Sequence, residues 1–86
     1  MKKFLIDSAI LKPGTDPKAC ALGSPQRLEH AGITNVKIIT CYCCGPEGRV
    51  AFVVEAENRN AALEAFYKIN VPVASIVETE EIIPKK

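Results

Sequence analysis

The stretch that most limits what this 86-residue chain can fold into runs from Val36 to Glu57. An apolar run ends in Cys41-Tyr42-Cys43-Cys44, the tetrapeptide Gly45-Pro46-Glu47-Gly48 follows, and a second apolar run occupies Val50 to Ala56. β-Branched and aromatic residues on both sides of a Gly-Pro turn specify a two-stranded hairpin, with Pro presetting the first turn dihedral. If Gly45 faces Gly48, Cys44 pairs with Arg49, Cys43 with Val50, Tyr42 with Ala51, Cys41 with Phe52 and Thr40 with Val53. Alternation then gives one face of Ile39, Cys41, Cys43, Val50, Phe52 and Val54. All are apolar, and this is the expected core face. The other face, Ile38, Thr40, Tyr42, Cys44, Arg49, Ala51, Val53 and Glu55, mixes apolar with polar and charged residues.

The flanking segments supply the rest of a fold. Lys3 to Leu11 is expected to be a strand covered on both faces, ended by Lys12-Pro13-Gly14. From Thr15 to Gly32 the order cap, proline, helix, glycine occurs twice, as Asp16-Pro17 to Gly23 and Ser24-Pro25 to Gly32. This predicts two short helices in one crossover, with Leu22, Leu28, Ala31 and Ile33 buried. Asn35 to Cys44 is the hairpin's first strand. Asn58 caps a helix over Arg59 to Ile69, whose Ala62, Leu63, Phe66 and Ile69 form a buried stripe, and Asn70 and Pro72 stop it. Val71 to Ile83 is the last strand. The order β-α-β-β-α-β is the ferredoxin-like arrangement, an α+β fold in which right-handed crossovers put both helices on one face of a four-stranded antiparallel sheet.

Size and charge narrow the functional classes. The chain is read as a single domain, residues 1–86, with a core modest enough that self-association would add useful burial. The net charge is +1, and basic residues cluster only at Lys2-Lys3 and Lys85-Lys86, so no broad face for nucleic acid is built. No apolar run approaches the roughly 20 residues of a membrane span, and no leader pattern is present, so a cytoplasmic location is expected. Three of the four cysteines fall within four residues, a spacing that points to free thiols or a metal rather than to a secreted disulfide scaffold. Helices on one face leave the other bare, and a second copy of the same sheet is the economical cover, making a homodimer or higher oligomer the expected state.

The topology, the length and the wording of residues 36–83, especially Tyr42, Gly48, Val53 to Ala56, Ala61-Ala62 and Pro72 to Glu78, resemble the dimeric α+β-barrel superfamily. Within it the chain is most similar to small single-domain families of unknown function, some of which bind nickel or other divalent metals. The resemblance implies a dimeric α+β barrel and admits monooxygenases, isomerases and ligand-sensing domains among the relatives. No stretch reproduces the signature of a catalytic branch. The first 40 residues, through Leu11-Lys12-Pro13-Gly14 and Asp16-Pro17, are also similar to the small subunit of a purine-biosynthetic amidotransferase complex, from whose pattern the cysteine hairpin departs.

Two groups of residues could carry chemistry. Among the thiols, Cys41 and Cys43 share one strand face and Cys44 the other, so a regular strand cannot aim all three at one ion. Two of them with Cys20 or His30 would make a soft site for Cu or Zn, with Ni admitted by the resemblance. Alternatively, Cys41 and Cys43 are small buried hydrophobes, Cys44 beside Arg49 is the most reactive thiol, and His30 merely complements a helix C-terminus. On the mixed sheet face, Tyr42 and Glu55, joined by Asp7 or Ser8 from the first strand, could form a ligand pocket or a general acid/base site. Burial would raise the pKa of Glu55, whereas a surface pair with Arg49 or Lys37 is the plainer alternative. The leading expectation is binding of a small ligand or transition metal through the dimer-covered face and the cysteine hairpin. A cofactor-independent oxygenase or isomerase using Tyr42 and Glu55, or an accessory subunit of a larger complex, are the rivals.

Overall fold

The computed structural model describes residues 1–11, 13–43 and 48–79. Strands β1 (Lys2–Ser8), β2 (Val36–Cys43), β3 (Val50–Ala56) and β4 (Val73–Thr79) form one antiparallel sheet in the order β2-β3-β1-β4, with helices α1 (Pro17–His30) and α2 (Arg59–Lys68) in the two crossovers. This is the βαββαβ order expected of a ferredoxin-like α+β fold. Phe4, Ile6, Val50, Phe52, Val54 and Ala56 line the face beneath the helices and are buried with Leu28, Ala62 and Phe66. Phe52 and Phe66 meet edge to face, with ring centroids 4.9 Å apart, which ties β3 to α2.

The helix ends follow from their residues. Asp16 Oδ1 accepts from the Lys18 N–H at 3.1 Å and Asn58 Oδ1 from the Ala61 N–H at 2.8 Å, so each helix begins on a side-chain cap. Both helices end the same way. Ile33 N donates to Leu28 O across left-handed Gly32 (φ 73°), and Val71 N donates to Phe66 O across left-handed Asn70 (φ 60°). Ile33 and Val71 then fold back against the core as the hydrophobic half of each stop.

Four expectations are corrected. First, α1 is one continuous helix, not two. Ser24 is an interior residue whose Oγ donates to Cys20 O at 2.7 Å, and Gly23 is helical. Pro25 has no N–H to offer the carbonyl of Ala21, and the Cys41 thiol fills that role at 3.8 Å. A proline tolerated by a tertiary donor does not break the helix. Second, the continuous helix turns Cys20, Ala21, Ser24 and Leu28 inward, leaving Ala31 exposed and Leu22 73% exposed. Third, β1 stops at Ser8, and Ile10 is exposed, because its neighbours run out: β3 starts at Val50, and Pro72 precedes β4 and only accepts, from the Ala9 N–H. Fourth, the pairing from Cys43–Val50 to Thr40–Val53 is as expected, but the register then shifts to Ile38–Val54. This bulge brings Ile38 to the core side and leaves Ile39 43% exposed, the reverse of strict alternation. The expected Cys44–Arg49 pair, the turn at 45–47 and the strand beyond Thr79 lie outside the described residues.

Candidate functional site

Among the described residues no helix covers the second face of the sheet, and the strand registers arrange its side chains in three cross-strand rows. The first is Ser75-Asp7-Ala51-Tyr42, the second Val77-Leu5-Val53-Thr40, and the third Thr79-Lys3-Glu55-Lys37. The middle row is apolar across three of its four strands. Polar and charged residues stand on either side of it. Leu5, Ala51, Val53 and Glu55 are half-buried by their neighbours alone, while Val77 is 55% and Tyr42 64% exposed. Apolar area of this kind on a sheet face is surface that folding of one chain has not used.

Tyr42, Glu55 and Asp7 all lie on this face, as expected, but a single chain does not gather them. Tyr42 is opposite Ala51, and Glu55 lies four residues further along β3, a separation of about 13 Å at the rise of an extended strand. Glu55 instead stands between Lys3 and Lys37, its two directly opposed neighbours. It is half-buried rather than enclosed. Asp7 shares the row of Tyr42 two strands away, about 9.6 Å at the usual strand spacing, and accepts from Ser75 Oγ at 3.2 Å. Ser8 faces the helices instead, fully buried, and its Oγ accepts from the Val50 N–H at 2.9 Å.

The sulfur ligands divide as well. Cys43 is exposed and bonded in a disulfide, so in this state it has no thiolate to offer, and the expectation of free thiols fails for it. Cys44 lies outside the described residues. Cys20 and Cys41 are free and adjoin one another between α1 and β2. Desolvation, and secondarily the neighbouring Cys20, push the Cys41 thiol above its ordinary value, which keeps it protonated and weakly nucleophilic at neutral pH. His30 is ten residues beyond Cys20 on the same helix, about 15 Å along the axis, so the two do not share an ion. Among the described residues no three His, Cys, Asp or Glu side chains assemble into a metal-holding group. Nor is any described helix long and apolar enough to cross a membrane.

Two open grooves escape sequence reasoning. One of about 640 Å³ runs between α2 and the β4 edge, lined by Leu63, Glu64, Tyr67, Lys68, Val71, Pro72 and Val73. The other, of about 900 Å³, lies between α1 and the end of α2 and includes Asp16, Ala19, Cys20 and Asn70. Tyr67, 83% exposed, forms a wall of both, and neither contains Tyr42, Glu55 or Asp7. The signal for Tyr67 was its place one turn after Leu63 and shortly before Pro72, on the side of α2 away from Ala62 and Phe66.

Compared with protein-family models, with curated proteins and with solved structures, the chain matches none of them. Its functional reading therefore rests on the geometry of the sheet and its thiols.

Proposed function

We propose that this protein binds a small molecule on the open face of its sheet, in a cavity that a second copy of the chain closes. The observation that supports the reading is the row Val77-Leu5-Val53, an apolar band flanked on both sides by polar rows. A cavity over such a band takes a largely apolar body and orients it through the hydroxyl, carboxylate and amine groups at the rims. Burying the band against a sister sheet also adds the apolar area that a domain of this size lacks.

Native mass spectrometry of the protein isolated without added ligand tests the reading. The expected spectrum is a two-chain species carrying a small-molecule adduct, and Val53→Lys, which puts a charge in the centre of the band, is expected to give single chains without it. A wild-type protein that stays monomeric at every concentration, or a Val53→Lys variant as dimeric as wild type, overturns it.

A further inference from the structure

We infer that a third groove, between the C-terminal half of α1 and the end of α2, is an anion site that takes the phosphate group of a small molecule on Arg27, His30 and Lys68. It lies on the helix side of the sheet and is independent of the reading above.

Gly23, Gln26, Arg27 and His30 recur at helical spacing on one side of α1, and Lys68 and Ile69 stand across from them, around a space of about 490 Å³. Arg27, His30 and Lys68 are all exposed. Among the described residues no carboxylate lines the groove, and none of the three is within ion-pair distance of one. Positive charges gathered from two helices without a counter-ion repel one another, and an anion between them relieves that repulsion. The His30 imidazole adds an N–H donor in either protonation state.

Basic side chains in a last helical turn ordinarily complement its free carbonyls. Here those carbonyls have other donors. The N–H groups of Ala31, Gly32 and Ile33 donate into the last turn of α1, and those of Ile69, Asn70 and Val71 into that of α2. The partial negative charge of a helix end resides on unsatisfied carbonyls, so these bonds also weaken the field that would oppose an anion. Gly23 fits the same reading. No positive φ requires glycine there, a Cβ would meet nothing within 4 Å, and glycine inside a helix destabilises it relative to alanine. What the missing side chain provides is room in the groove.

A phosphate group suits this set better than a carboxylate. It carries a charge of about −1.5 to −2 near neutral pH and has acceptor oxygens enough for the Arg27 fork, the Lys68 ammonium and the His30 N–H together. The volume of the groove is that of a small-molecule site.

His30 is the chain's single histidine, so its imidazole resonances report on the groove directly. Titrating inorganic phosphate into the full chain, at fixed pH and ionic strength, should move them along a saturating curve, whereas acetate should not. Arg27→Ala and Lys68→Ala should each raise the phosphate dissociation constant at least about fivefold. Lys18→Ala, which removes a charge from the first turn of α1, should change it by less than about twofold. Gly23→Leu keeps every charge and fills the groove, and should weaken phosphate about tenfold; leucine is also the better helix former, so the fold is retained. A shift that never saturates, acetate that saturates as phosphate does, a Gly23→Leu variant that binds like wild type, or a Lys18→Ala loss equal to that of Arg27→Ala overturns the site. Val53→Lys should bind phosphate as wild type does, which separates this groove from the open sheet face.

Discussion

Along β3, Val50, Phe52, Val54 and Ala56 point beneath the helices and are closed to solvent, whereas Ala51, Val53 and Glu55, one residue out of phase, stand half-buried on the opposite side. The same strand thus serves two surfaces with different chemistry. Beneath the helices the side chains are large and mutually packed, the Phe52–Phe66 contact among them, and polar groups there have partners within the chain. On the open side the residues are smaller, charges occur in two of the three rows, and Tyr42 and Val77 remain largely exposed. The covered face is complete as a core. The open one has the pattern of a core at its waist and of a surface at its rims.

Truncation at neighbouring positions of β3 measures that contrast most directly. Phe52→Ala should lower unfolding free energy by about 3–5 kcal/mol, since a fully buried ring is removed from a region that cannot collapse around it. Val53→Ala should cost less than about 1.5 kcal/mol in dilute protein, because its side chain is only half-buried in one chain. Denaturant titrations at increasing protein concentration sharpen the comparison. If the second copy covers Val53, its cost grows with concentration and that of Phe52 does not. Equal costs for the two in dilute protein would break the distinction between the faces.

Two serines offer the polar version of the same comparison. Ser8, buried under the helices, accepts the Val50 N–H where the β1–β3 ladder has ended at Asp7–Ala51. Ser8→Ala leaves that N–H buried without a partner and should cost about 1–3 kcal/mol. Ser75 donates to Asp7 on the open side, where water can replace it, so Ser75→Ala should stay within about 0.5 kcal/mol. Thermal melts of both variants check the ordering, and a Ser75→Ala loss as large as that of Ser8→Ala would show that Asp7 is already desolvated.

Most of the fold was legible in the residues because its signals are local. The caps at Asp16 and Asn58, the left-handed stops at Gly32 and Asn70, and the hairpin register from Cys43 to Thr40 depend on chemistry within a few positions of one another. What the residues hid depended on partners far along the chain. Ser24-Pro25 has the form of a helix start, and only the Cys41 thiol, 20 positions from Ala21, lets the helix run through it. Strand β1 reads as continuing to Leu11, yet its end is set by where β3 and β4 begin. The bulge at Ile39 exchanges two isoleucines that composition cannot tell apart. For the site, face assignment placed Tyr42, Asp7 and Glu55 on one surface, but their spacing of four residues along β3 separates the phenol from the glutamate. A thiol spacing that suggested one cluster is likewise divided between a disulfide at Cys43 and a free pair beneath α1.

A last prediction concerns that free pair and tests whether Cys41 belongs to the covered side. Its thiol is held above the ordinary value of 9.0 by burial first and by Cys20 second. In the unfolded chain the thiol ionises near 9.0, whereas the folded protein still holds the proton above that pH. The folded state therefore binds more protons in this window, so the stability contributed by the neutral thiol is present below 9.0 and is lost as pH rises through the folded value. Cys41→Ser keeps a donor for the Ala21 carbonyl that Pro25 leaves open and removes the ionisation. Wild type should consequently lose stability faster than Cys41→Ser above pH 9.0, by less than the limit of about 1.36 kcal/mol per pH unit for a single proton. Denaturant titrations of the two proteins across that range read the difference. Parallel curves would mean that Cys41 is as wet as the open face, and the thiol would then have to be moved to the other side of the comparison.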